Sequence, residues 1–149
     1  MTILVKVQAL NLNVAVPRSS KDTLAGLAHL PRMIDKARAL RTDPLGEYIY
    51  PCPLDRHVLN FLETDPKDFA DLAEVNDDGQ MAAWADESGR SRTGKERDFL
   101  NAKILNKKPD TETLAEFLDQ RNRIDPTRTD VITWADLRDL EEGHISKYE

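Results

Sequence analysis

Apolar side chains recur every three or four residues along most of this chain, and that spacing constrains its fold more than any other feature. From about residue 20 onward the period is that of an amphipathic helix, whose apolar face has to be covered by neighbouring helices. Residues that typically begin or end a helix interrupt the pattern at short intervals, among them Asp65 before Pro66, Asp77 before Gln80, and Gly143. The sequence therefore predicts a mainly α-helical (all-α) fold, a compact bundle of about six to seven short helices.

The first 17 residues follow a different pattern. Apolar and other residues alternate there with a period of two, which predicts one short strand ended by Pro17. The apolar members of this alternation are Leu10, Leu12, Val14 and Val16. We expect residues 1–17 to form an extended N-terminal segment with at most one strand, and residues 18–149 to form a single helical domain. Whether that strand pairs within the chain or with a second copy is left open.

Three local signals refine this prediction. The segment 31–40 has the apolar face of a well-packed helix. Ser19 and Asp22 resemble a capping box, which favours a helix start just before that segment. Further along, Asp110 is the expected N-cap of another helix, and Phe99 is an expected core residue.

The net charge of −6 is distributed unevenly. Residues 90–108 carry seven Lys/Arg against two Asp/Glu, whereas residues 61–89 carry one against nine. Because most of the surface would repel phosphates, general nucleic-acid binding is disfavoured. The basic stretch is either a solvated face or a contact for an acidic partner, such as another protein or a second copy of this chain.

Two features of the sequence bear on the cellular compartment of the protein: its cysteine content and its N-terminal residues. Cys52 is the only cysteine, so no disulfide can form within the chain, which fits a reducing compartment. The apolar run at residues 3–5 is interrupted by Lys6 and is too short for a signal peptide or a membrane span. We therefore expect a soluble, cytoplasmic protein without a membrane partner.

The stretch 42–53 is a loop stiffened by three prolines, and it contains two tyrosines and the cysteine. Long, stiff loops often carry function. Cys52 could act as a thiol nucleophile, with His57 as its base and Asp55 as the acid that orients the histidine. The alternative is that the prolines fix a buried loop, in which Cys52 fills a gap as a small apolar residue. The candidates for catalysis are thus Cys52, His57 and Asp55.

A second set of candidates lies on the helix before this loop. Arg32, Asp35 and Lys36 occupy neighbouring helix positions, and Tyr48 and Tyr50 follow nearby in the loop. In one interpretation the two cations bind a carboxylate or phosphate that Asp35 helps to orient. In the other interpretation the charged residues form a solvated face with weak ion pairs. These five residues are the ligand-binding candidates.

Residues 125–136 have the spacing of a calcium loop without its chemistry. Asp130 occupies the position that requires glycine, and Asp136 is too short to replace the bidentate glutamate easily. The three histidines are spread through the chain, with no paired spacing typical of metal ligands. The sequence therefore predicts no metal site and no cofactor.

Three segments together resemble a known family. They are 18–39 (RSSKDTLAGLAHLPRMIDKARA), 46–55 (GEYIYPCPLD) and 125–143 (DPTRTDVITWADLRDLEEG). Their order and spacing are similar to those of domain of unknown function 5069, an uncharacterised bacterial family, over most of the chain after residue 16. The resemblance implies a helical bacterial protein and supplies no catalytic residues.

Two functions of different kinds follow from these observations. The segregated charge and the absence of a recognisable catalytic motif favour a helical binding or interaction module. The alternative is a small enzyme or small-ligand-binding protein that uses the groove between helix 31–40 and loop 46–55. Whether the protein is an enzyme stays open at this point.

Overall fold

A computed structural model describes residues 6–42 and 45–144, and within them the chain forms seven helices and one short hairpin. Helices make up 55% of these residues, so the prediction of a mainly α-helical fold is confirmed. Asp43 and Pro44 of the predicted loop lie outside the described residues. The elements are β1 (Thr23–Leu24), β2 (Leu27–Ala28), α1 (Leu30–Thr42), α2 (Pro53–Phe61), α3 (Pro66–Val75), α4 (Asp78–Ser88), α5 (Gly94–Leu105), α6 (Leu114–Ile124) and α7 (Trp134–Glu142).

Side-chain caps fix most of the helix starts. Asp65 accepts a hydrogen bond from the backbone N–H of Asp68 and is the N-cap of α3, as its position before Pro66 predicted. Asp77 and Gln80 form the reciprocal capping box of α4. The predicted N-cap at Asp110 is wrong, since α6 begins four residues later and Asp110 caps a preceding turn instead.

The predicted helix start at Ser19 and Asp22 is also wrong, because the chain forms an antiparallel hairpin there. Thr23 pairs with Ala28, and the two strands are joined by Ala25 and Gly26. Both turn residues have positive φ, 54° and 72°, as a tight two-residue hairpin turn requires. This turn conformation outweighs the helical spacing of the apolar residues around it.

The alternating N-terminal residues form a turn rather than the predicted strand. The backbone N–H groups of Val14 and Ala15 both donate to the carbonyl of Asn11. Leu12 is buried there at 4% exposure, whereas Val14 is 84% exposed. We call residues 10–18 the N-terminal strap, since they run across the loop that precedes α2.

Helix α1 lies at the centre of the fold. It packs chiefly against α3 and also against α2 and β1, while α5 packs against β2. The main core contains Met33, Phe69 and Met81, all with no exposed surface. A smaller cluster joins α6 to α7 around Phe117, with Trp134 packed edge-on against its ring. Contrary to prediction, Phe99 is 72% exposed.

No helix in the described part of the chain is long and apolar enough to cross a membrane.

The strap lies directly against Gly46 of the loop, so a side chain at this position should destabilise the fold. The φ of Gly46 is +64°, and a Cβ added there would lie 2.6 Å from the carbonyl oxygen of Leu12. Gly46→Ala should therefore lower the free energy of unfolding by about 1–3 kcal/mol, from the left-handed backbone and the clash. Gly94→Ala, at an open helix start with nothing near its Cβ position, should leave stability unchanged or raise it by up to about 1 kcal/mol. Equal effects of both variants in urea unfolding would contradict this assignment.

Candidate functional site

Helix α1 buries its charged residues as well as its apolar ones. Arg32, Asp35, Lys36 and Arg38 are each 3–7% exposed. The interpretation of this face as solvated is therefore wrong. Buried charges are costly unless they are paired and hydrogen-bonded, so each of these side chains needs partners from elsewhere in the fold.

Asp35 and Arg38 have structural partners. Arg18 at the end of the N-terminal strap donates to Asp35 through its backbone N–H and its guanidinium, at 2.9–3.0 Å. Arg18 and Arg38 then share the carboxylate of Asp78 at the start of α4. Asp35, one of the predicted ligand-binding residues, thus attaches the strap to α1.

Lys36 belongs to a different, deeper network centred on Asp55. Its Nζ lies 2.7 Å from Asp55 Oδ2 and 3.1 Å from the carbonyl oxygen of Ile49. The other carboxylate oxygen, Oδ1, lies 2.7 Å from His29 Nε2. Asp55 has no exposed surface, and His29 is 1% exposed. The carboxylate is therefore bonded on both sides by groups that can carry or donate a proton.

His29 extends this network to Ser20, because its Nδ1 lies 2.9 Å from Ser20 Oγ. The hairpin β1–β2 brings the two residues together from positions nine apart. The backbone N–H of His29 also donates to the Ser20 carbonyl at 2.9 Å. His29 has a φ of +74°, a strained value for a non-glycine residue, and such strain concentrates at functional sites.

Cys52 lies beside Lys36 at the start of α2. It is the N-cap of that helix, and its Sγ lies 3.3 Å from Lys36 Nζ and 3.4 Å from the backbone nitrogen of Asp55. Asp55 completes the capping box by accepting the backbone N–H of Cys52 at 2.9 Å. Cys52 is partly exposed. One carboxylate therefore holds the cysteine, the lysine and the histidine in place.

Arg32 pairs with the last helix. It donates twice to Glu142, at 2.7 and 2.9 Å, in a bidentate ion pair that joins α1 to α7. Tyr48 donates to the same carboxylate at 3.0 Å, and its ring lies against the Arg32 guanidinium. This trio forms one side of the candidate site.

These groups line a pocket of about 830 Å³ between α1, the loop before α2, the strap and α7. Its floor is polar and includes Ser20, His29, Arg32, Lys36 and Cys52. Its walls carry apolar side chains, namely Leu12, Val14, Val16, Ile49, Leu54 and Trp134, together with charged side chains that include Glu47, Lys107, Arg138 and Glu141. The volume is that of a typical small-molecule site.

The protonation states of the central pair follow from burial and charge. Burial by itself would raise the pKa of Asp55, but the His29 hydrogen bond and the Lys36 charge outweigh it and lower the pKa to about 2. Burial lowers the pKa of His29, against the opposing effect of Asp55. Near neutral pH the network thus holds an ionised carboxylate and a neutral imidazole. Burial and the nearby Glu142 raise the pKa of Tyr48 to about 12, so its hydroxyl stays protonated.

One cluster in the described residues has the spacing of a metal site. Ligand atoms of His29, Cys52 and Asp55 all lie within 4.8 Å of one another. However, the Lys36 ammonium already bonds to Asp55 and Cys52, and both nitrogens of His29 have hydrogen-bond partners. A metal ion would have to displace Lys36, so the arrangement favours hydrogen bonding and proton transfer over metal coordination.

The structure brings together only part of the predicted site. Cys52 and Asp55 are joined by the capping box of α2, but the histidine bonded to Asp55 is His29 and not His57, the base that the sequence proposed. The pKa of His57 is lowered by partial burial and by Lys103 and Lys107 on and after α5. Tyr50 donates to the backbone carbonyl of Pro66, away from the pocket.

Sequence reasoning missed His29, Ser20 and Glu142. The first two meet only because the Ala25–Gly26 turn reverses the chain, and the turn itself was hidden in an apparent helical stripe. Gly26 between short apolar runs is the local signal of a break in the helix, and it does not by itself specify a hairpin. Glu142 lies more than ninety residues from Tyr48, and no local pattern could have joined them.

A family model described as Domain of unknown function (DUF5069) matches residues 14–144. The chain belongs to the domain of unknown function 5069 family. The resemblance of the three segments is thereby confirmed, and every floor residue of the pocket lies within the matched span. A comparison with curated proteins finds none that matches.

In this member of the domain of unknown function 5069 family, Asp55 should dominate the stability of the site. Asp55→Asn removes the charge opposite the buried Lys36 ammonium, and we expect the free energy of unfolding to fall by about 3–5 kcal/mol. Asp71→Asn breaks exposed ion pairs with Lys67 and Arg41 and should change stability little. Chemical unfolding of both variants provides the measurement. A small loss for Asp55→Asn would mean that the buried pair is not needed for folding.

The His29 pKa gives a second prediction. Folded His29 binds a proton less readily than His29 in the unfolded chain, so its contribution to stability is complete above about pH 6.5 and declines as pH falls below that value. Imidazole NMR should show a His29 midpoint below that of a free histidine. Unfolding at several pH values should show an acid-dependent loss of up to about 1.4 kcal/mol per pH unit that His29→Gln lacks. A His29 midpoint above that of free histidine would contradict this prediction, because the contribution of His29 to stability would then be lost as the pH rises.

Proposed function

We propose that this protein binds a small molecule with one polar head and one apolar tail in the pocket between α1, α7 and the loop before α2. The observation that carries the proposal is that buried hydrogen-bonding groups and a set of apolar side chains line the same pocket. Such a combination of a mostly apolar cleft with a few converging polar groups is typical of ligand sites. This is the groove that the sequence offered as its second hypothesis.

The buried ion pair at the floor supports the proposal, because burying charged side chains costs free energy. Lys36 and Asp55 form an ion pair in which neither side chain is more than 4% exposed. A buried pair of this kind adds little stability compared with well-packed apolar side chains of the same volume. Titratable groups with perturbed ionisation in a cleft are typical of functional sites, and here burial lowers the pKa of His29 and raises that of Tyr48, both of which line the pocket.

The exposed apolar side chains at the pocket indicate that the tail of the ligand is apolar. Ile49 is 68% exposed and Val14 is 84% exposed, although both are apolar and lie at the pocket. A ligand tail lying between the strap and the loop would cover them and remove this surface from water. The floor is electrically balanced, because Arg32 is paired with Glu142 and Lys36 with Asp55. The head group is therefore better described as a hydrogen-bonding group than as a strong anion.

We further propose that the protein is bacterial, as the family resemblance implies, and that it works in the cytoplasm, since a chain with a single cysteine suits a reducing compartment. The interaction module, a protein partner and a homodimer stay predictions that rest on the separated charge blocks.

Binding can be tested with three six-carbon probes that differ only in the head group, namely hexanamide, hexanoate and hexylamine. Backbone NMR shifts should concentrate at residues around the pocket, including His29, Lys36 and Ile49, and hexanamide should bind at least as well as either charged probe. Shifts that are scattered over the surface, or absent at millimolar concentration, would contradict the proposal.

A matched pair of variants distinguishes binding in the pocket from binding elsewhere on the surface. Ile49→Ser removes an exposed apolar side chain at the pocket, and Phe99→Ser removes one that is 72% exposed and lies outside it. We expect Ile49→Ser to weaken hexanamide binding about fivefold, from a loss of about 1 kcal/mol of apolar contact, with no change for Phe99→Ser. Equal effects would indicate non-specific binding.

A further inference from the structure

Ser20, His29 and Asp55 form a continuous hydrogen-bonded chain that opens onto the pocket. Ser20 Oγ lies 2.9 Å from His29 Nδ1, and His29 Nε2 lies 2.7 Å from Asp55 Oδ1. An ionised Asp55 can only accept, so Nε2 carries the imidazole proton and donates it. Nδ1 of a neutral His29 is then the acceptor, and the Ser20 hydroxyl is its donor.

This order of groups is that of an activated hydroxyl: a nucleophile, a neutral base and a carboxylate that fixes the base. His29 is in the required neutral form because burial lowers its pKa, and Asp55 is in the required ionised form. The ring is oriented with Nδ1 toward serine and Nε2 toward the acid.

The fold holds the three residues rigidly. Ser20 and His29 are linked twice, by their side chains and by the bond from the His29 N–H to the Ser20 carbonyl. Asp55 is fixed from its other oxygen by Lys36 and by the backbone N–H of Cys52. Pre-organisation of this kind is what positions a nucleophile for attack.

Both Ser20 and His29 line the pocket, together with Arg32 and Lys36. Ser20 is 5% exposed, so a reacting group would have to reach it through the pocket and not from the outer surface.

We propose that Ser20 is the nucleophile of an acyl-transfer reaction on a small ester or thioester with an apolar acyl chain. The proposal rests on the proposed function, since it takes the pocket to be a small-molecule site. It adds to that function a reaction, a nucleophile and a substrate class.

The reaction needs no reagent other than the substrate and water. The Ser20 hydroxyl proton passes to His29 Nδ1 as Oγ forms a bond to the acyl carbon. The bond from that carbon to the leaving alcohol or thiol then breaks, and the leaving group takes the proton from His29. Water repeats the sequence on the serine ester, which releases a carboxylic acid and restores the hydroxyl.

The test uses the full chain with 4-nitrophenyl hexanoate, whose acyl chain matches the binding probe, and with a small alkyl fluorophosphonate. We expect nitrophenolate release above the buffer rate and a covalent adduct that peptide mass spectrometry locates on Ser20. Ser20→Ala should lose the adduct and at least about 100-fold of the release rate. His29→Gln should lower the rate by about 100-fold or more, as expected for removal of a general base.

Ser19→Ala is the matched control, since Ser19 is an adjacent buried serine whose hydroxyl donates to Asp139 and not to His29. It should keep both the adduct and the rate. Circular dichroism and hexanamide binding confirm that each variant is folded.

The outcomes separate the two proposals. An adduct on Cys52, or no adduct while hexanamide still binds in the pocket, would overturn the role of Ser20 and leave the proposed function standing. Failure of hexanamide to bind would instead remove the proposed function. Retained activity in folded Ser20→Ala would also overturn the nucleophile assignment.

Discussion

The structure depends on one buried carboxylate. Asp55 has no exposed surface and accepts hydrogen bonds from three parts of the chain: His29 beside the hairpin, Lys36 on α1, and the backbone of Cys52 at the start of α2. An ionised carboxylate can be buried only if such donors surround it. The requirement fixes the positions of these segments relative to one another, and with them the floor of the pocket. Apolar packing around Met33 and Phe69 stabilises the fold, but it would not by itself bring these polar groups together.

Helix α1 shows how a charged sequence can occupy the centre of a protein. Its apolar side packs against α3, while its charged side is covered by the strap, the loop before α2 and α7. Each covering segment supplies the opposite charge or a carbonyl oxygen. Three networks result, and they have different consequences. The one around Asp35 attaches the strap to the fold, and the one around Glu142 joins α1 to α7. The one around Asp55 leaves Lys36 and Cys52 at the pocket.

The pocket therefore depends on segments with little regular structure. The strap rests on Gly46, and Tyr48 meets Arg32 and Glu142 across the cleft. Rigid loops held by a helical scaffold are common carriers of binding sites. The model of the domain of unknown function 5069 family matches these parts of the chain from residue 14 onward. The buried polar groups and apolar side chains of the pocket, and the order of groups from Ser20 to Asp55, are the observations on which the proposed small-molecule chemistry rests.

The sequence by itself determined the helical class and the caps at Asp65 and Asp77, because apolar period, proline and cap residues act within a few positions of one another. It singled out the segments that line the pocket. It also identified Cys52, Asp55, Arg32 and Lys36 as residues of interest. Only the tertiary structure decided that their histidine is His29, since the Ala25–Gly26 turn and the burial of α1 arise from contacts between distant segments. Local spacing cannot indicate whether a charged helix face meets water or another part of the protein. That choice is made by long-range packing, and it is what turned an apparently solvated face into the floor of a pocket.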